Sequence, residues 1–236
     1  MTDPGVAPSL SITRTIVGGV AVLAAAVVGR QVGMMAVAAA IGADMTSTDP
    51  MLRREGLLLG AGILIGTLLG AIALALVVRA PKETLALAAP RPLAVVVVTV
   101  AGLALMFAFD GLAFVLNRPA VSQSWLAVYR SGSPALLGVA LVLTSIFEEL
   151  FFRGFLYTGI AKTRVGPIGA IAITSGLFSL AHLPEDGFRF FDVLLSGVLL
   201  GVARWRTGST IPGMVPHVLG NLKVLANLAY VAGAFG

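Results

Sequence analysis

The longest charge-free stretch of the chain, residues 56–78, limits the possible folds more than any other feature. It holds 23 consecutive residues without an acidic or basic side chain, and a helix of about 20 apolar residues crosses the hydrocarbon core of a bilayer. Of the 236 residues, 58% are hydrophobic and 11% charged, whereas about 25% of the residues in a soluble domain are charged. The chain lacks the polar surface to cover itself in water, so the sequence predicts a membrane protein.

Further apolar stretches predict an all-α fold, a polytopic membrane helix bundle of about seven transmembrane helices. Ser133 and Pro134 suit the start of the fourth helix, since a hydroxyl caps the first turn and proline has no N–H to satisfy there. Seven spans with short loops use most of the chain, so we expect a single membrane-embedded domain over residues 1–236 with an N-terminal tail over residues 1–14. The predicted spans are residues 15–42, 56–78, 93–116, 134–160, 165–183, 190–202 and 211–235.

Regularly spaced glycines predict where these helices pack closely. Gly62, Gly66 and Gly70 recur at every fourth residue of the second span, and Gly197 and Gly201 repeat the spacing in the sixth. Small residues at this spacing let the backbones of two membrane helices approach each other.

Charge and cysteine content exclude several functions. The chain has no cysteine, which excludes disulfides, a thiol nucleophile and cysteine-ligated metal. The net charge of +5 comes without a basic cluster, so we expect the lipid bilayer and not nucleic acid as a partner.

Asp110 lies near the end of the third span, and we expect it to be solvated or paired.

Two adjacent carboxylates and a guanidinium interrupt the apolar run of the fourth span. Ionisable groups at membrane depth are rare and usually have a functional or pairing role. On a helix Glu149 and Arg153 lie four residues apart in the favourable order, so Arg153 can neutralise and orient Glu149. Glu148 lies about 100° further round the helix and is not aimed at Arg153. We therefore expect Glu148 to be the carboxylate that takes a proton from water, whereas a lone Glu–Arg pair would serve helix packing alone.

Both histidines of the chain lie within or at the edge of predicted spans, and each has a partner four residues away. Phe178 precedes His182 and Asn221 follows His217, so each pair shares one helix face. Two schemes follow for this set. Glu148, His182 and His217 match the His₂Glu ligands of some catalytic zinc sites. Alternatively, Glu148 and His182 activate a water molecule while His217 and Asn221 donate hydrogen bonds to an oxyanion, without a cofactor.

The amide of Asn221 favours the metal-free scheme, because it is a good oxyanion donor and a poor zinc ligand. The chain also lacks the H-E-x-x-H pattern of soluble zinc proteases, but neither point excludes zinc. A rise of 1.5 Å per residue places Glu148 and His182 at similar depth and His217 nearer the surface. His217 therefore needs a helix start drawn into the protein, which Pro212 and Pro216 make plausible.

Together the three motifs resemble the CAAX-protease and bacteriocin-processing (CPBP, or Abi) family of intramembrane endopeptidases. The motifs are Glu148-Glu149-x-x-x-Arg153, Phe178-x-x-x-His182 and His217-x-x-x-Asn221, with Thr207-Gly208-Ser209 before the last, and their order and separation fit the family. The resemblance covers residues 143–221, within the helices over 134–235.

The resemblance implies an intramembrane cavity that holds the site in a multi-pass protein of the cell membrane. It implies that Glu148 is the general base and works with His182 on the water, and that His217 and Asn221 bind the oxyanion. The supporting residues it implies are Glu149, Arg153 and Phe178. The substrates it implies are membrane-associated peptides, either prenylated CAAX-type proteins or leader peptides. Family members are described both as metalloproteases and as glutamate proteases, so the question of zinc stays open.

Two functions from other classes compete with a protease. A proton-coupled transporter could use Glu148, Glu149 and the two histidines as a relay, but the chain is short and has no obvious repeat. A non-catalytic immunity scaffold would not need the motif residues, all of which are intact.

Overall fold

The computed structural model describes residues 10–182 and 187–233, except the side chains of residues 52 and 53, and the regular structure there is helical throughout. A π-helical segment, Glu149–Leu156, lies between α7 and α8. The helices in chain order are α1 (Ile12–Ile41), α2 (Pro50–Arg53), α3 (Glu55–Val77), α4 (Pro81–Thr84), α5 (Pro92–Val115), α6 (Gln123–Arg130), α7 (Pro134–Glu148), α8 (Tyr157–Ala161), α9 (Gly166–Leu180), α10 (Gly187–Thr207) and α11 (Ile211–Val231).

Within the described residues, four helical stretches are long and apolar enough to cross a membrane. They are α1, α3, α5 and the continuous stretch Pro134–Ala161, and they identify a multi-pass membrane protein of the predicted all-α class. The predicted number of seven spans is not confirmed. Helix α9 has 15 residues, fewer than the about 20 that a crossing needs. Helices α10 and α11 each have 21 residues but are interrupted by charged and polar side chains.

The ends of the long helices lie close to their predicted positions. Helices α3 and α5 are each shifted by one residue, and the Ser133 hydroxyl accepts a hydrogen bond from the Leu136 amide at 3.3 Å at the start of α7, as expected of a cap. Helix α1 begins at Ile12, inside the predicted tail. Residues 1–9 of that tail, and the ends of the predicted fifth and last spans, lie outside the described residues.

The helix that begins at Pro134 is not uniformly α-helical, contrary to our expectation. After Glu148 the hydrogen bonds lengthen by one residue, and the Tyr157 amide donates to the carbonyl of Phe152, five residues earlier. Such π-helical turns are rare and occur frequently at functional sites. The apolar sequence does not predict where the helix becomes π-helical, because the packing around the helix decides its hydrogen-bond register.

The chain forms two compact units, and the boundary between them falls inside α1, α3, α5 and α11 and at the end of α7. The first unit comprises the described parts of residues 1–22, 73–106 and 148–216, and the second those of residues 23–72, 107–147 and 217–236. The single domain over residues 1–236 stays a prediction.

In the first unit, α10 packs closely on α9 through the predicted glycines. A Cβ atom added to Gly197 would lie 3.1 Å from the Ser175 side chain, and one added to Gly201 would lie 3.1 Å from the Ile171 side chain. Both distances are tighter than ordinary van der Waals contact, so the prediction of close packing is confirmed.

The turn between α10 and α11 binds the segment that follows α4. The Thr210 hydroxyl donates to the Leu85 carbonyl at 2.7 Å and its amide to the Ala86 carbonyl at 3.0 Å. The Ser209 hydroxyl donates to the Ala88 carbonyl at 2.7 Å. Ser209 and Thr210 are each 1% exposed, so α11 starts inside the protein, as His217 was expected to require.

In the second unit, the glycine stripe of α3 faces α1. A side chain at Gly62 would overlap Met34, one at Gly66 would press on the backbone of Ala26 and on Arg30, and one at Gly70 would lie 3.0 Å from the Ala26 side chain. The stripe predicted from sequence is therefore the surface on which α1 packs.

The start of α3 touches the end of α6 through backbone atoms. The Gly56 amide donates to the Ser131 hydroxyl at 2.9 Å, which satisfies one of the amides that a helix start leaves without a partner. A Cβ atom at Gly56 would overlap the Val128 carbonyl oxygen and lie 2.6 Å from the Gly132 nitrogen. These neighbours are main-chain atoms, which cannot rotate away as a side chain could.

We predict that Gly56→Ala lowers the free energy of unfolding by about 2–3 kcal/mol, because the added methyl group forces the backbones of α3 and α6 apart. Thermal unfolding in detergent measures the effect. The matched control is Gly111→Ala, since a Cβ atom there meets open space, and its effect should stay under about 1 kcal/mol. Equal melting of the two variants would contradict the close approach.

Candidate active site

A buried ion pair lies at the centre of the π-helical segment. The Arg153 Nη1 donates to the Glu149 Oε1 at 3.0 Å, and both residues are 0% exposed. The contact predicted from the four-residue spacing is therefore confirmed. Two charges removed from water keep their ionised forms only when each is compensated nearby, so this pair is a fixed part of the structure.

Arg153 also connects the first motif to the second. Its Nη2 donates to the Gly197 carbonyl of α10 at 3.3 Å, and its guanidinium carbon lies 4.4 Å from the centre of the Phe178 ring. The positive charge thus rests on the negative face of an aromatic ring, a favourable arrangement when both groups are desolvated. Phe178 is itself 4% exposed and packs edge-on against Phe152, with ring centres 5.3 Å apart.

Glu149 leaves no room for a side chain on the neighbouring turn of α11. A Cβ atom at Gly213 would lie 2.9 Å from the Glu149 Oε2, inside van der Waals contact. Our reading of the sequence missed this requirement. The sequence offers only one signal, a glycine between Pro212 and Pro216. The contact of this glycine with Glu149 exists only in the folded structure.

Glu148 is the last residue of α7 and precedes the π-helical segment. It is partly exposed, whereas the adjacent Glu149 is fully buried. The two adjacent carboxylates therefore have different surroundings, as the sequence argument expected from their rotation about the helix axis.

His182 lies two residues beyond the end of α9, so the expectation that a helix carries it is wrong. Helix α9 ends at Leu180, and Pro184 in the sequence disfavours helical backbone in the residue before it. The His182 ring is held instead by Phe178. Its Nδ1 lies 2.7 Å from the Phe178 carbonyl oxygen, and the two rings meet edge-on with centres 4.6 Å apart.

This contact determines the tautomer of His182. A carbonyl oxygen can only accept a hydrogen bond, so Nδ1 carries the hydrogen and, in the neutral ring, Nε2 carries the lone pair. Nε2 is thus the atom with which His182 can accept a proton or bind a metal ion.

His217 and Asn221 belong to the second unit, whereas Glu148 and His182 belong to the first. Within its own unit Asn221 is bonded to α7. Its Nδ2 donates to the Ser145 hydroxyl at 2.8 Å and to the Leu141 carbonyl at 3.4 Å. Both amide hydrogens therefore have acceptors, and Asn221 joins α11 to α7. That all four residues form one site stays a prediction.

Ser145 is a residue that the sequence reading missed. It is 0% exposed, and its hydroxyl donates to the Leu141 carbonyl at 2.8 Å while accepting from Asn221. A lone hydroxyl in an apolar run gives little signal, because serine commonly bonds to the carbonyl four residues earlier without any further partner.

Asp110 is paired, one of the two states we expected for it. It forms an ion pair with Lys223 of α11, whose Nζ also lies 5.9 Å from the centre of the Phe107 ring. The pair therefore compensates two partly exposed charges on apolar helices.

The side chains that could bind a metal ion are not grouped for it in the described part of the chain. No three His, Asp or Glu side chains of residues 10–182 and 187–233 lie together as a metal ion would require. A zinc ion held by Glu148, His182 and His217 accordingly stays a prediction, and we derive no chemical step from it.

We predict that Arg153→Met lowers the free energy of unfolding by about 3–5 kcal/mol, because it leaves the Glu149 carboxylate buried without its partner. The double variant Glu149→Leu/Arg153→Met should be the more stable of the two, since it removes both charges. Thermal unfolding in detergent compares them.

The matched control is Arg189→Met, which breaks the partly exposed pair with Asp192 and should cost under about 1 kcal/mol. A double variant no more stable than Arg153→Met would show that the ion pair is not what holds this part of the helix.

Comparison with known families agrees with the motifs. Residues 130–223 match the model of one family, described as Type II CAAX prenyl endopeptidase Rce1-like. No curated protein and no solved structure matches the chain. The matched residues include Glu148, His182, His217 and Asn221. The suspected relationship is confirmed in this form: over residues 130–223, the chain is similar to the type II CAAX prenyl endopeptidases.

Proposed function

We propose that this protein is an intramembrane endopeptidase that hydrolyses a peptide bond of a membrane-associated, CAAX-type substrate. The observation that carries the proposal is the family match, because its residues 130–223 contain all three motifs. The contacts from Glu149 through Arg153 and Phe178 to His182 support it, since they join the first two motifs into one buried arrangement.

Glu148 and His182 activate the attacking water in this proposal. The carboxylate of Glu148 accepts one proton of the water while Nε2 of His182 orients it. The water oxygen bonds to the carbonyl carbon of the substrate, and the electron pair of the double bond moves to the carbonyl oxygen. Glu148 then passes its proton to the leaving nitrogen as the C–N bond breaks.

Glu149, Arg153 and Phe178 act as positioning residues. The ion pair holds the π-helical segment on α10, and Phe178 holds the His182 ring through its own ring and carbonyl. Packing contacts and hydrogen bonds of this kind hold the side chains of catalytic residues in the geometry that the reaction needs.

The resemblance assigns His217 and Asn221 to the oxyanion formed on the substrate. Donors aimed at such an oxygen are among the largest contributions to catalysis. For Asn221, the longer of its two hydrogen bonds, that to Leu141, is the one it would exchange for the oxyanion.

In this proposal the site lies among apolar helices within the bilayer. This position suits substrates that are held in the membrane by a prenyl group or by a leader peptide. We propose the cell membrane as the location. Of the four apolar stretches, α1, α3 and α5 expose many large apolar side chains, which matches a lipid environment.

We predict that Glu148→Gln and His182→Ala each lower kcat by about 10²–10⁴-fold, because each removes a group that moves or orients the proton of the water. KM should change much less. Cleavage of prenylated CAAX-type peptides and of unlipidated leader peptides by the purified protein measures both constants.

Glu83→Gln is the matched control, since Glu83 is an exposed carboxylate in the short helix α4, and it should retain full activity. Chelator treatment and metal analysis of the same sample separate the two schemes, and the metal-free one requires unchanged activity. Equal cleavage by wild type, Glu148→Gln and His182→Ala would refute the assignment.

A second prediction separates an oxyanion role for Asn221 from a purely structural one. If Asn221 donates to the oxyanion, Asn221→Ala should lower kcat by about 10²–10³-fold, while Ser145→Ala should lower it far less. If Asn221 only joins α11 to α7, the loss of kcat in each variant should follow its loss of melting temperature, which is larger in Asn221→Ala because that variant also loses the bond to the Leu141 carbonyl.

A further inference from the structure

The change from π-helix to α-helix leaves a carbonyl group of the site helix without its usual donor. In an α-helix the amide four residues later would donate to the Arg153 carbonyl. That amide, of Tyr157, donates instead to the carbonyls of Phe152 and Gly154. The Arg153 carbonyl is thus not bonded by the amide that would donate to it in an α-helix.

Arg204 of α10 supplies a donor at this point. Its Nε donates to the Arg153 carbonyl at 3.1 Å, and its Nη2 donates to the Thr158 hydroxyl at 3.2 Å. Its guanidinium carbon also lies 5.0 Å from the centre of the Tyr157 ring. One planar group therefore contacts residues 153, 157 and 158, which are the residues over which the helix changes its spacing.

We propose that Arg204 is a positioning residue that holds the π-helical register of the helix carrying Glu148, Glu149 and Arg153. A return to α-helical spacing would rotate one side of the segment by about 100° relative to the other. Glu148 and Glu149 would then be turned relative to residues 157–158, which contact Arg204. The side chain of Arg153 is held by Glu149 and Phe178 and its carbonyl by Arg204, so the register is fixed from both sides.

The contacts of Arg204 require the shape of its side chain as well as its charge. A guanidinium presents several N–H groups in one rigid plane and so reaches two acceptors at once, whereas the ammonium of lysine is a compact charge without that geometry. A role in membrane orientation or in charge balance would be kept by lysine, and a role in holding the register would be lost.

Arg206 offers a matched comparison on the same helix. It lies two residues further, is exposed, and stacks on its neighbour Trp205 at 4.9 Å. It carries the same charge at the same end of α10.

Two measurements on the full-length protein in detergent test the proposal, one of which does not depend on activity. Hydrogen exchange of peptides covering residues 150–161 should be accelerated about tenfold in Arg204→Ala, since hydrogen bonds from a charged donor are lost. Arg204→Lys should behave like Arg204→Ala, and Arg206→Ala like wild type. Thr158→Val, which keeps the side-chain shape but removes one acceptor, should show a smaller acceleration in the same peptides and covers the case in which Arg204→Ala does not fold.

The second measurement rests on the proposed endopeptidase function. Arg204→Ala and Arg204→Lys should lower kcat about tenfold with KM within about twofold, because the catalytic groups are displaced while the substrate surface is unchanged. Unchanged exchange in both Arg204 variants, or full rescue by lysine, would overturn the proposal. Absence of cleavage by the wild-type protein would overturn the proposed function, and the exchange result would still decide the role of Arg204.

Discussion

The ion pair between Glu149 and Arg153 is the interaction on which the remaining arrangement depends. Two charges enclosed among apolar helices are unfavourable unless they compensate each other. Three neighbouring helices adjoin this pair: α10 accepts a hydrogen bond at the Gly197 carbonyl, α9 places the Phe178 ring against the guanidinium, and α11 has a glycine, Gly213, beside the carboxylate. Each neighbouring helix is therefore held at a definite distance and rotation around the pair.

The π-helical segment follows from the same constraint. Its hydrogen bonds span one residue more than those of an α-helix, and both the side chain and the carbonyl of Arg153 bond to α10, through the Gly197 carbonyl and Arg204. The result is a helix whose two adjacent glutamates face different surroundings, Glu149 enclosed and Glu148 partly exposed. In a regular helix the rotation between neighbouring residues is fixed, whereas the rotation across this segment depends on the contacts around it. The contacts of Arg204 are the ones that we propose hold it.

Much of the site could be predicted because it depends on short-range geometry. The spacing of Glu149 and Arg153 implied their contact, and the spacing of Phe178 and His182 implied that they pack together. The remaining differences depend on long-range packing. His182 lies outside its helix and Ser145 binds Asn221 from another helix. The predicted number of seven membrane spans is not confirmed, since α9 is short and α10 carries charged side chains.

By itself, the sequence determined that the chain is helical and membrane-embedded, because its charge-free runs leave no polar surface and each residue of such a run must satisfy its backbone within its own helix. It also determined which ionisable residues are present and which share a helix face. Only the tertiary structure decided the helix register at Glu149–Leu156 and the close approaches at Gly56 and Gly213. These depend on atoms that are far apart in the chain, and no local pattern of residues encodes where such atoms meet.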